Sequence, residues 1–202
     1  MGHTEDMPVA VEALQEFVIP PHKLWTREEC DALERSGVID LERYELIEGE
    51  LIPKVGKNHP HMLAVLLLAS WLRKVFGETL VVTEPSIDLR PEDNPSSAPE
   101  PDVVALVRSL REFSARARPN ELRLVAEISS STLAFDLTTK ARLYARSGIP
   151  EYWVLDVQGR RLLVHREPSE QGYQSINAYL EDEQVSPLAD PSHALRIGDL
   201  LQ

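Results

Sequence analysis

Two segments, PDVVALV at 101–107 and ELRLVAEIS at 121–129, are nearly continuous apolar runs, and each carries one carboxylate at an end. A strand that is apolar along its length must have both faces covered, so these two belong inside a sheet with other elements packed on either side. Asp102 begins the first run and Glu127 nearly closes the second. Antiparallel pairing would bring the two carboxylates together at one edge of the sheet. Parallel pairing would hold them most of a strand length apart.

Two carboxylates held close repel, and at least one tends to stay protonated unless a hard divalent cation neutralises them with oxygen ligands. Magnesium or manganese suits such a site. The plainer alternative is that Asp102 and Glu127 only mark strand ends near solvent. Lys140 bears on the choice. In the helical run 133–147, Leu133, Leu137, Lys140 and Tyr144 follow spacings of four, three and four, so the lysine shares the apolar stripe that faces the sheet. A buried lysine needs a partner, here a carboxylate pair or an anion at the sheet edge. It could instead snorkel outward along the helix or pair with Asp136 one turn earlier.

The rest of the chain reads as scaffold around these segments. Residues 1–24 form an N-terminal arm containing Pro20 and Pro21, and 25–202 form a single domain. Thr26 with Glu29 predicts a capping box that opens a short helix, which Gly37 ends. RYELIEGELIPK alternates on both sides of Glu48 and Gly49, the pattern of a tight hairpin. A helix is expected from His61 to Phe76, stopped by Gly77. TLVVT and SIDLR read as short strands, followed by the proline-rich loop PEDNPSSAPEP. Gly148 and Pro150 end the Lys140 helix, after which EYWVLD and RRLLVHRE are β-rich, with a turn near Gln158 and Gly159. Tyr152 and Trp153 sit in an alternating strand and are assigned to the core. Glu45, in a hairpin strand, is a further candidate metal carboxylate, whereas Glu48 is better explained by the turn. His61, near Asn58 and His59, can contact a phosphate or an attacking water, or serve as a cap or surface residue.

Charge and cysteine content narrow the function classes. The net charge of -12 opposes a general electrostatic grip on nucleic acid. From Arg108 to Arg166, however, eleven Lys and Arg face six Asp and Glu, so this window carries about +5 and the remainder about -17. The basic window also holds Glu127 and Lys140, and its arginines are expected to gather around the site as a positive groove. Cys30 is the single cysteine, which excludes an intramolecular disulfide and a cysteine-based zinc cluster within one chain. The apolar stretch from Met62 to Leu72 is too short to span a bilayer and the acidic N-terminus is no secretory signal, so a cytoplasmic protein is expected.

The segments RYELIEGELI, EPDVVAL, LVAEISSST and FDLTTKARLYARSGIPEYWVLD, with the closing GYQ and VSPL, carry a family resemblance. With Pro101-Asp102 followed by Glu127 and Lys140, the chain resembles the PD-(D/E)xK nuclease superfamily, and more closely its Uma-type branch of restriction endonucleases. The resemblance covers about residues 25 to 201. It departs from the superfamily pattern at Ser129, two residues after Glu127, where a lysine usually stands. Lys140 matches the lysine that this branch carries on the following helix.

The resemblance implies an α/β fold with a restriction-endonuclease-like core, a mixed central sheet flanked by helices, extra N-terminal and C-terminal β elements, and a homodimer. It also implies a magnesium- or manganese-dependent endonuclease acting on DNA. In that reading Asp102, Glu127 and Glu45 are metal ligands, and Lys140 and His61 are catalytic beside the two carboxylates Asp102 and Glu127. The alternative is a catalytically weak or inactive nuclease-fold module for nucleic-acid or protein interaction. A glycosidase using Asp102 and Glu127 is a distant third, since its chemistry leaves an inward lysine without a role.

Overall fold

Six strands in the order β3-β4-β5-β6-β7-β8 form the central sheet of the structure, a computed structural model that describes residues 22–37, 39–54, 56 and 58–201. The strands are β3 (Val81–Thr83), β4 (Val103–Leu106), β5 (Leu122–Ser129), β6 (Glu151–Asp156), β7 (Arg161–Ser169) and β8 (Gly172–Leu180). All neighbours pair antiparallel except β5 and β6, which run parallel. A parallel pair needs a crossover, and the helical run after β5 supplies it. The sheet is therefore mixed and flanked by helices, as expected. The expected N-terminal arm lies outside the described residues up to position 21.

Period-2 alternation along β4 and β5 explains why these strands read as apolar throughout. Val103, Ala105, Leu124 and Ala126 face α2 (His59–Phe76), which buries Ala64, Leu68 and Leu72 against them. Val104, Leu106 and Val125 face the opposite helical layer, where Leu143, Tyr144 and Ala145 pack with Tyr152 and Val154. By the same parity Asp102 and Glu127 project into that second layer, toward the helix that carries Lys140. Trp153, on the α2 side, and Tyr152, on the other, are both fully buried, in keeping with their core assignment.

Local signals set the ends of the elements. In α1 (Arg27–Arg35) the Thr26 and Glu29 capping box forms, and Gly37 adopts a φ of 70° beyond its end. The hairpin of β1 (Tyr44–Ile47) and β2 (Glu50–Pro53) turns through Glu48 and Gly49, with φ of 51° and 86°, a primed turn whose twist suits antiparallel strands. Helix α2 begins two residues earlier than expected because the Asn58 side chain caps it, accepting from the His61 amide at 3.0 Å. Near the C-terminus β9 (Gln184–Val185) pairs with β10 (Leu195–Arg196).

Two expectations need correction. SIDLR forms no strand: Ile87 and Leu89 are buried beneath the hairpin side of the molecule, but the backbone makes scattered bonds, to the Pro99 and Ala117 carbonyls, with no ladder partner. Alternating burial alone therefore does not make a strand. The Lys140 helix is also not uniform. It consists of α3 (Leu133–Phe135), a π-helical turn (Asp136–Lys140) and α4 (Ala141–Arg146), with the Ala141 amide reaching back five residues to the Asp136 carbonyl. Such an insertion widens the helix and re-aims the side chains within it.

Candidate active site

The first paired residue of β4 is Val103, opposite Ala126 of β5, so one step further along the register sets Asp102 beside Glu127. The antiparallel arrangement expected from the strand ends is the one the fold adopts. The Ile128 amide donates to Asp102 Oδ2 at 2.8 Å, and His61 Nε2 lies 3.3 Å from the same oxygen. His61 comes from the first turn of α2, so helix and strand meet at this carboxylate.

Glu127 is held from the other layer. Lys140 Nζ donates to Glu127 Oε1 at 2.9 Å, and the Tyr144 hydroxyl donates to the same oxygen at 3.0 Å. The ammonium also lies 3.0 Å from Glu45 Oε2 and 3.3 Å from Oε1. Of the two hairpin glutamates, Glu45 thus joins the site, while Glu48 pairs with Arg146 at 2.8 Å. Asp136, the alternative partner for Lys140, is instead held by Ser129 and by Thr132 Oγ1 at 2.6 Å.

Glu45, His61, Asp102, Glu127 and Lys140 all line one cleft of about 360 Å³, together with Asn58, Ser130, Ser131 and Asp136. Sequence reasoning missed Asp136 as a wall residue and treated Tyr144 as an apolar stripe member. Both lie one turn from Lys140, so the i, i+4 spacing could have signalled them. Lys54, Glu84 and Glu100 at the cleft were also missed, since they come from separate loops.

Charge is the cleft's main property. Among the described residues it is lined by six carboxylates and two lysines, and Lys54 is already paired with Glu100 at 2.6 Å. Burial pushes the Glu127 carboxyl well above the usual carboxylate range; Asp136, Asp102 and Glu45 push the same way, while the Lys140 ammonium pulls it down. Burial also works against the charge on Lys140, but Glu127 and Glu45 outweigh it and hold its pKa above the usual lysine range. Lys140 therefore stays charged, and the pocket retains a surplus of negative groups.

The arginines expected to gather around the site as a positive groove do not line the cleft itself. None of the ten arginines from Arg108 to Arg166 lines the cleft. Several are engaged elsewhere: Arg146 with Asp93 and Glu48, Arg161 with Asp156, and Arg166 with the buried Glu151. Part of the basic surplus along the chain is thus spent on structural ion pairs, some with acids of the same window and some, as at Arg146, with acids from outside it.

The donor set suits a hard divalent ion. Among the described residues no group of three or more His, Cys, Asp or Glu side chains is placed to hold a metal ion. Magnesium does not require one, since it commonly binds one or two carboxylates and fills its octahedron with water and substrate oxygens. Glu127 Oε1 carries both of its donors, and among the described residues Oε2 accepts none. The cleft thus holds an unengaged carboxylate oxygen and a surplus of acidic groups.

A crystal structure described as that of a putative nuclease from Anabaena variabilis shares this fold, with a TM-score of 0.65 at 19% identity over 83% of this chain and 95% of that one. No curated protein matches the chain. The family described as "Uma2: Putative restriction endonuclease" matches residues 27–197, most of the length, and the protein belongs to that family.

Proposed function

We propose that the protein is a cytoplasmic, divalent-metal-dependent endonuclease that hydrolyses phosphodiester bonds in DNA. The observation that carries this reading is the Asp102 and Glu127 pair on adjacent strands, in an acidic cleft where a buried lysine bridges Glu127 and Glu45. Among the described residues no helix is long and apolar enough to cross a membrane.

Asp102 and Glu127 would hold magnesium or manganese, with Glu45 as a third carboxylate once Lys140 turns to substrate. The ion supplies Lewis acidity at the phosphate. Lys140, held charged, donates to a phosphate oxygen and offsets charge that grows in the transition state. Because it keeps its proton it acts as a donor and not as a base. His61 braces Asp102 through Nε2 and orients the attacking water from the α2 side. Water adds to phosphorus and gives up a proton to solvent, the bond to the leaving oxygen breaks, and that oxygen takes a proton from solvent to leave as an alcohol. A negative cleft repels DNA until cations load it, so metal binding precedes substrate binding in this reading.

A homodimer would offer two clefts to one duplex. The outer strand β8 leaves Ile176 and Leu180 exposed, and sedimentation of the purified chain tests this assembly.

The absence of arginine from the cleft favours the second reading, an interaction module with weak or no catalysis. Plasmid, single-stranded DNA and RNA incubated with and without Mg²⁺ or Mn²⁺ distinguish the two. We expect metal-dependent DNA cleavage that Asp102→Ala, Glu127→Ala and Lys140→Ala each abolish, because the three act as a unit. No cleavage of any substrate, and no metal-induced rise in melting temperature, would leave the module.

A further inference from the structure

The Tyr144 hydroxyl is fully buried and ends on Glu127 Oε1, the oxygen that already accepts from Lys140. Both donors come from one face of the π-helical turn and α4, one helical turn apart. Two donors converging on one oxygen fix the plane of a carboxylate, and they leave its second oxygen, Oε2, to face another ligand. From this geometry we infer that Tyr144 is a positioning residue that holds Glu127 with Oε2 presented to a divalent cation.

The inference deepens the metal reading above. A tyrosine suits the task because its hydroxyl is a neutral donor on a rigid ring, so it can hold the carboxylate without adding charge to the site. The ring itself is locked, with Tyr152 packed edge-on at 5.0 Å between centroids. Lys140 alone could not do the same: its ammonium also answers to Glu45, and on binding substrate it must be free to turn to phosphate. Tyr144 keeps the carboxylate aligned when the lysine leaves. Hydrogen-bond partners of metal ligands typically change metal affinity by ten- to a hundredfold.

The test compares Tyr144→Phe with Tyr173→Phe, which removes another buried hydroxyl, one that donates to the Ile149 carbonyl at 2.9 Å away from the cleft. Mn²⁺ is titrated calorimetrically into the full-length proteins well below their melting temperatures, and metal-free crystal structures of both variants are determined. We expect Tyr144→Phe to bind Mn²⁺ about tenfold more weakly than wild type, with the Glu127 carboxylate turned from its wild-type plane, and Tyr173→Phe to bind like wild type. Equal affinity for wild type and Tyr144→Phe, or an unmoved Glu127, would overturn the inference while leaving the nuclease reading intact. If wild type binds no Mn²⁺ yet Glu127 turns in Tyr144→Phe, the cation falls and the positioning role stands.

Discussion

Replacing Lys140 by Met keeps an unbranched stem of similar length and removes the one charge that bridges Glu127 and Glu45. Nζ lies 2.9 Å from one carboxylate and 3.0 Å from the other. At an effective dielectric of about 20, each contact is worth roughly 5 kcal/mol of attraction. Much of that is offset by the several kcal/mol needed to strip water from a buried ammonium. Removing one member of a buried ion pair typically costs about 3–5 kcal/mol, since the remaining charge is left uncompensated. For a domain of this size, about 2–4 °C per kcal/mol gives a fall of roughly 10 °C in melting temperature. Two conditions should close the gap. Acid protonates the stranded carboxylates, and Mn²⁺ replaces the missing positive charge, adding about 2.7 kcal/mol at a hundredfold excess over its dissociation constant. Scanning calorimetry of wild type and Lys140→Met in EDTA at neutral pH, in EDTA at mildly acidic pH and in Mn²⁺ measures all three. A variant as stable as wild type in EDTA, or a gap that neither acid nor Mn²⁺ narrows, would refute the charge-surplus argument.

Two further expectations rest on the same geometry. Glu127 has a folded-state pKa above its unfolded value of 4.5, so its contribution to stability is present below that value and is lost as pH rises through the folded one. Metal-free protein should therefore lose stability as the medium becomes less acidic, Mn²⁺ should suppress the loss, and Glu127→Gln should lack this component in melts across the pH series. Gly49→Ala should destabilise by about 1–3 kcal/mol, because Gly49 has φ 86° and an added Cβ would sit 2.8 Å from Leu24 Cβ. Chemical denaturation measures that cost, and since the hairpin carries Glu45, weaker metal binding should accompany it.

The strand pair and the lysine were legible because they break strong local patterns. A carboxylate at the end of an apolar strand and an ammonium on an apolar helical stripe each demand a partner, and the antiparallel register supplied it. Glu45 was less legible, since it lies 95 residues from Lys140 and its place depends on how the hairpin docks against the Lys140 helix. Hydrophobic alternation marked Ile87 and Leu89 as buried but could not say whether a strand would lie beside them. The π-helical turn was hidden because the stripe from Leu133 to Tyr144 fits an ordinary helix nearly as well. The arginines misled most: charge counted along the chain does not reveal which acidic groups the fold will bring to meet it.

Manganese soaked into crystals of the full-length protein, located by its anomalous scattering, tests the central claim most directly. The account expects one strong peak in the cleft, within bonding distance of oxygens of Asp102 and of Glu127 Oε2, with Lys140 Nζ withdrawn from Glu127 by the like charge of the ion. Full occupancy of Mn²⁺ elsewhere with the Asp102 and Glu127 carboxylates unligated, or no peak at millimolar Mn²⁺, would contradict it.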